Sequence, residues 1–195
     1  MINLKDRRVI LASQSPRRQE LIKGLDIDFI IQTADIDESF PSQLKKEEIP
    51  MYLAGEKAKV MLKNLTEKDI LITADTIVWL NGKAVNKPKN RSEAYQMISE
   101  LSGNEHTVYT GVQLSTTKEK KLFFAETKVT FSRLEQAEIK YYIDKYQPFD
   151  KAGAYGIQEW IGYIGIEKIE GSYFNVMGFP LHLVYQNLKE LLQNN

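Results

Sequence analysis

Asp75 is the most informative side chain in this chain because it interrupts an apolar, β-branched run from Ile70 to Leu80. A carboxylate is rarely buried without a partner, so it must meet a cation, hydrogen-bond donors or a ligand. A salt bridge or a strand-end turn would satisfy it as well as a catalytic role. Asp35, Asp37 and Glu38 add further carboxylates in the polar loop DIDESFP. Hard oxygen ligands of this kind suit Mg²⁺ or Mn²⁺ held jointly with substrate phosphates, which need only one or two protein carboxylates.

A second chemistry-bearing stretch is LASQSPRR, Leu11 to Arg18, where Ser13 and Ser15 precede Pro16, Arg17 and Arg18. Free backbone N–H groups at a helix start, together with bidentate guanidinium donors, make a phosphate site. A capped surface helix with solvated arginines has the same spacing. Lys57, in Gly55-Glu56-Lys57-Ala58, and Lys87, in Asn86-Lys87-Pro88, can each serve as a point charge for phosphate. DKAGAYGIQ, Asp150 to Gln158, surrounds Tyr155 with small residues and ends in a primary amide able to donate and accept toward a planar polar ligand. Turn glycines flanking an ordinary strand would look similar.

Other chemistries are closed off. The chain has no cysteine, which excludes disulfides, thiolate nucleophiles, Cys-ligated zinc and iron–sulfur clusters. His106 and His182 sit in unrelated segments, and neither a P-loop nor a GxGxxG pattern occurs. Basic and acidic residues balance at 26 each, so no general positive field attracts nucleic acid or anionic membrane. No window approaches the roughly 20 apolar residues of a membrane span and no signal-peptide core is visible, so the expectation is a cytoplasmic protein.

These residues must be positioned by elements the patterning foreshadows. Arg8 to Ser13 reads as a strand, followed by a helix with Ser15 as N-cap, Pro16 in its first turn and Gly24 beyond its end. Asp28 to Gln32 reads as a strand and Pro50 to Asn64 as a helix. The strand through Asp75 ends at Asn81-Gly82, a type I′ hairpin signal. Asn90 with Glu93 starts a helix that Gly103 stops, and Ser132 with Glu135 forms a second capping box. His106 to Leu114 and Lys121 to Phe131 form an antiparallel pair, Ile161 to Ile169 alternates as a strand, and Pro180 to Gln193 is an amphipathic helix. With 195 residues and 43% hydrophobic composition, the chain is expected to fold as a mixed-sheet α/β or α+β domain with two lobes around a cleft.

Taken in order, LASQSPRRQELI, DIDESF, GEKA, ADTIVWLNGK, NKP, LSGNEH, DKAGAYGIQ and IEGSYFNVMGFPL resemble the Maf family of nucleoside triphosphate pyrophosphatases over nearly the whole chain. The resemblance implies one domain over residues 1–195, with a central twisted mixed sheet flanked by helices and a nucleotide-binding cleft, similar to inosine triphosphatases. It also implies hydrolysis between the α and β phosphates with a divalent cation, Mg²⁺ or Mn²⁺. By the same matching Asp75 is the proton acceptor, with Arg17, Thr76 and Gln158 tied to substrate choice. Ser13, Arg18, Glu38, Lys57 and Lys87 fall on pocket or phosphate-side positions, and Glu38 and Asp75 are candidate metal ligands. Asn86 departs from the Gly that many relatives carry before Lys-Pro.

DKAGAYGIQ with SYFNVMGFP resembles the branch acting on dTTP and UTP. The family's partners are then a nucleoside triphosphate and a second copy of the chain in a homodimer, with no stable nucleic-acid partner and no membrane. A noncatalytic nucleotide sensor that restrains cell division is the alternative the resemblance leaves open.

Overall fold

Val9 to Ala12 and Asp69 to Ala74 are almost fully buried on both faces, as expected of parallel strands covered by helices. In chain order the elements are β1 (Arg8–Ala12), α1 (Pro16–Lys23), β2 (Phe29–Ile31), α2 (Glu48–Leu62), β3 (Asp69–Leu80), β4 (Lys83–Val85) and α3 (Arg91–Leu101). There follow β5 (Glu105–Ser115), β6 (Lys120–Phe131), α4 (Gln136–Tyr146), α5 (Trp160–Gly165), β7 (Ile166–Gly171), α6 (Tyr173–Val176) and α7 (Leu181–Gln193). The computed structural model describes residues 2–33 and 37–193, and Asp35 lies outside the described residues.

The strands form one mixed sheet in the order β2-β1-β3-β5-β6-β7, with β4 folded back on β3. β1 is parallel to both β2 and β3, whereas β3–β4 and β6–β7 are antiparallel. This is a mixed-sheet α/β architecture, within the classes the patterning predicts, with the flanking helices that the family resemblance implies. Two compact units are distinguished. One comprises residues up to Asp75, Thr110–Ala125 and Gly178 onward; the other comprises Thr76–Tyr109 and Glu126–Met177. In the first, Ile10, Ala12 and Leu71 of β1 and β3 pack against Ala58 and Met61 of α2. In the second, Val78, Ile98, Phe131, Tyr142 and Tyr155 belong to one buried cluster.

Local signals account for most boundaries. Ser15 accepts a hydrogen bond from the Arg18 N–H, and Asn90 accepts one from the Glu93 N–H. Asn81 and Gly82 both have positive φ, at 50° and 80°, as a type I′ turn requires. Two expectations change. The capping box opening α4 lies at Glu135 and Glu138, one turn later than predicted. Ser132 is instead tied to Gly165, whose carbonyl accepts from its N–H at 2.8 Å and from its hydroxyl at 3.2 Å. The alternating run Ile161 to Ile169 is also not a single strand: residues up to Gly165 form α5 and only the remainder forms β7. Ile161 and Gly165 are the buried pair, four residues apart, while Tyr163 between them is 78% exposed, so helical spacing prevails over the period-two pattern.

His106 explains part of the expected pH response. Its Nε2 lies 2.7 Å from the Tyr155 hydroxyl, its Nδ1 is buried without a partner, and burial pushes its pKa down from 6.5 to about 4. Below pH 6.5 the unfolded chain takes up a proton that the folded ring refuses. The His106 contribution is therefore complete above pH 6.5 and lost as pH falls towards 4, by about 3 kcal/mol in all. Urea unfolding followed across this range is expected to show that slope in the wild type. A His106→Gln variant should lack this part of it, and equal slopes would contradict the assignment.

Candidate active site

β1 delivers the chain to Ser13, which is buried and whose hydroxyl accepts a hydrogen bond from the Ser15 N–H at 3.2 Å. Ser15 then caps α1, and Pro16, which lacks an N–H, occupies the first turn where none is needed. Arg17 and Arg18 are thereby fixed in the first turn of a capped helix. The Arg18 guanidinium bonds the protein backbone, with Nε donating to the Gly178 carbonyl at 2.8 Å and Nη1 to the Ala74 carbonyl at 2.9 Å. It grips the chain immediately before Asp75. Burial lowers the Arg18 pKa and Arg17 adds to that effect, while the charges of Asp75 and Glu38 act in the opposite sense.

Asp75 finds the partner that its burial demands. Lys57 Nζ, from the middle of α2, lies 2.6 Å from Asp75 Oδ1 and 3.0 Å from Glu38 Oε1. Residues two apart on a strand share a face, so Thr73 and Asp75 both point to α2. The Thr73 hydroxyl donates to the Ala54 carbonyl at 2.8 Å, fixing the helix register that aims Lys57. Asp75 is 8% exposed and Glu38 is exposed, so one carboxylate is rigidly held and the other lies at the solvent edge. Asp37 is turned to its own loop, where its carboxylate accepts from the Ser39 N–H and hydroxyl, both at 2.9 Å.

Among the described residues no cluster of three or more His, Asp or Glu side chains forms a protein-only metal cage. Glu38 and Asp75 instead offer two hard oxygen donors around a single ammonium. That set suits a cation whose other ligands are water and substrate phosphate.

Thr76, Lys87 and Gln158 belong to the second unit. Lys87 is exposed and follows Asn86, whose carbonyl accepts the Gly153 N–H at 3.2 Å. Asn86 has no positive φ; the left-handed residues here are Gly153, at 71°, and Ala154, at 58°. A left-handed alanine costs about 1–2 kcal/mol, so the surrounding structure must hold this segment in place. The Gln158 backbone carbonyl accepts from the Tyr163 hydroxyl at 3.1 Å, while its side-chain Oε1 is buried without a hydrogen-bond partner.

A family model described as Maf-like protein matches residues 8–191, from the first residue of β1 nearly to the end of α7. The chain belongs to the Maf family. Relatives extend over nearly its full length. A Bacteroides fragilis protein named dTTP/UTP pyrophosphatase is 51% identical over 192 residues, covering 98% of this chain and 100% of the relative. Proteins of the same name from Bacteroides thetaiotaomicron and Porphyromonas gingivalis are 52% and 47% identical, covering 97% and 99% of this chain and 98% of each relative. Among solved structures, the Staphylococcus aureus Ham1 protein matches at 16% identity over 64% of this chain and 72% of that chain, with a TM-score of 0.44.

Sequence reasoning about this Maf chain did not find the side chains packed around the Gln158 loop. Tyr142 lies on α4, Lys151 precedes the Gly-Ala turn and Glu159 stands just ahead of α5 without a side-chain capping bond, and each looks ordinary in isolation. Their link is tertiary. The hydroxyl of Tyr142 bonds the Glu159 carboxylate, whose other oxygen lies 3.2 Å from Lys151 Nζ.

Proposed function

We propose that this chain is a single-domain pyrophosphatase hydrolysing dTTP and UTP to the monophosphate and pyrophosphate. The observation that carries the reading is the buried Asp75 in β3, bridged through Lys57 to Glu38, behind the arginine-bearing start of α1. The name shared by relatives about half identical over their full length supports the same substrates.

In this reading Asp75 accepts the proton of a water that attacks the α phosphorus, and the bridging oxygen departs with pyrophosphate. The α1 N-terminus, Arg17, Lys57 and Lys87 balance the triphosphate charge, which is most concentrated as that oxygen leaves. Ser13 fixes the backbone just ahead of Arg17, and Arg18 fixes it just ahead of Asp75. Glu38 and Asp75 would hold a divalent cation, Mg²⁺ or Mn²⁺, which when bound polarises phosphate oxygens and activates water. Asp75 is thereby assigned to metal binding as well as to base catalysis. These groups favour catalysis over a purely sensing role.

Gln158 supplies the base reading, with Thr76 beside Asp75 setting the nucleotide's position. The unpartnered Oε1 is an acceptor suited to the imide N–H of uracil or thymine, while the amide N–H₂ can donate to a neighbouring carbonyl. Cytosine reverses the pattern at its ring nitrogen and exocyclic amine. No helix of the described residues is long and apolar enough to cross a membrane. We place the enzyme in the cytoplasm, acting on the nucleotide pool as a homodimer.

The test is pyrophosphate release from every ribo- and deoxyribonucleoside triphosphate with Mg²⁺ or Mn²⁺. dTTP and UTP are expected to exceed CTP and the purine nucleotides in kcat/KM by about tenfold or more, because mispaired buried polar groups are left unsatisfied. Gln158→Glu should erode that preference without changing the metal requirement. Equal use of CTP or GTP by the wild type would refute the pyrimidine-imide assignment, even with hydrolysis established.

A further inference from the structure

The turn Gly156-Ile157-Gln158-Glu159 is held by a small buried network that the hydrolytic chemistry does not use. The fully buried Tyr142 hydroxyl accepts the Gly156 N–H at 3.0 Å and donates to Glu159 Oε2. The second Glu159 oxygen pairs with Lys151, whose side chain is only 10% exposed and which also lies 2.8 Å from Asp150. The Glu159 N–H closes the turn on the Gly156 carbonyl at 3.0 Å. Gly156 is required for this arrangement, since a Cβ there would stand 2.8 Å from the Glu159 carboxyl carbon. Tyr142, Lys151 and Glu159 thus strap both ends of a four-residue turn, with Gln158 inside it.

Stability alone is a poor explanation for the strap. A buried ion pair gains little over well-packed apolar side chains of the same volume, because desolvation offsets the attraction. What a fully paired buried network adds is a single geometry. Gln158 needs one: its Oε1 is buried with no protein partner, so a small rotation of the turn would misdirect the acceptor while leaving distant groups untouched.

We propose that Glu159, anchored by Tyr142 and Lys151, is a positioning residue that aligns Gln158 and thereby determines discrimination among nucleobases. This rests on the assignment of Gln158 as the base-reading group. Tyr142 and Glu159 act as one strap, so cutting either side releases the same turn. The hydrolytic residues Asp75, Lys57 and Glu38 do not take part in it.

The experiment compares wild type, Tyr142→Phe, Glu159→Gln and the double variant, with kcat and KM measured separately for UTP and CTP and folding checked by circular dichroism. The wild-type UTP:CTP ratio of kcat/KM is expected to fall about tenfold in each single variant, chiefly through a higher KM for UTP, with kcat kept within about threefold. The double variant should lose little more than the more affected single variant, as expected for residues in one network. Lys151→Met cuts the strap from its third side and serves if either single variant does not fold. An unchanged ratio in folded variants overturns the proposal, as does an equal loss for both nucleotides. A wild type without preference for UTP over CTP overturns the base-reading role of Gln158 itself, and the positioning role with it.

Discussion

Asp75→Asn is expected to lower kcat for dTTP and UTP by about 10² or more, the scale of losing a general base, while leaving the fold in place. The amide has nearly the same volume as the carboxylate, so the burial of residue 75 in β3 is kept, and its Oδ1 can still accept from Lys57. Lys57 also retains Glu38 at 3.0 Å, so its charge is not stranded. What disappears is basicity and one negative charge at the reacting centre. Pyrophosphate release, with circular dichroism as the folding control, checks this, and a folded variant within a few-fold of wild type would remove Asp75 from the catalytic role.

The proton-acceptor role of Asp75 came only from the resemblance to the family, but its need for a buried partner was legible in the sequence, because an acid inside an apolar strand is a local anomaly. The same holds for the start of α1, where Ser15 and Pro16 carry helix-start chemistry, and for the Asn81-Gly82 hairpin. Each depends on residues within a few positions of one another. The division of Ile161 to Ile169 into α5 and β7 was not legible, because Ile, Gly and Tyr satisfy either period and Gly165 is settled only by packing on Phe131 and Leu134. The two backbone contacts of Arg18 were also hidden. Its acceptors are carbonyls 56 and 160 residues away, and any residue can supply a carbonyl, so no side-chain motif marks them. The strap around Gln158 was invisible for a related reason: Tyr142 reads as a core aromatic until Glu159 is brought against it.

Lys57→Met tests the other half of the acidic centre and should produce the largest change in stability. Met replaces the aliphatic stem of lysine with little change in packing but removes the ammonium. The Lys57 and Asp75 side chains are only 15% and 11% exposed, so the variant leaves a largely buried carboxylate without its counterion, with Glu38 nearby adding like charge. Breaking such a pair by removing one partner costs about 3–5 kcal/mol. A drop of that size is expected in metal-free buffer with a chelator present. If Asp75 and Glu38 hold a divalent cation, Mn²⁺ or Mg²⁺ can replace the missing positive charge and should raise Tm more in the variant than in the wild type, where the ammonium already occupies the space between the carboxylates. Hydrolysis should remain weak in the variant even with the cation bound, because the lysine is then missing from the phosphate side. Thermal unfolding with and without cation, alongside turnover, separates these effects. An unchanged metal-free Tm would show that the Lys57 pair does not stabilise the fold, and equal cation responses in both proteins would remove Glu38 and Asp75 as the metal ligands.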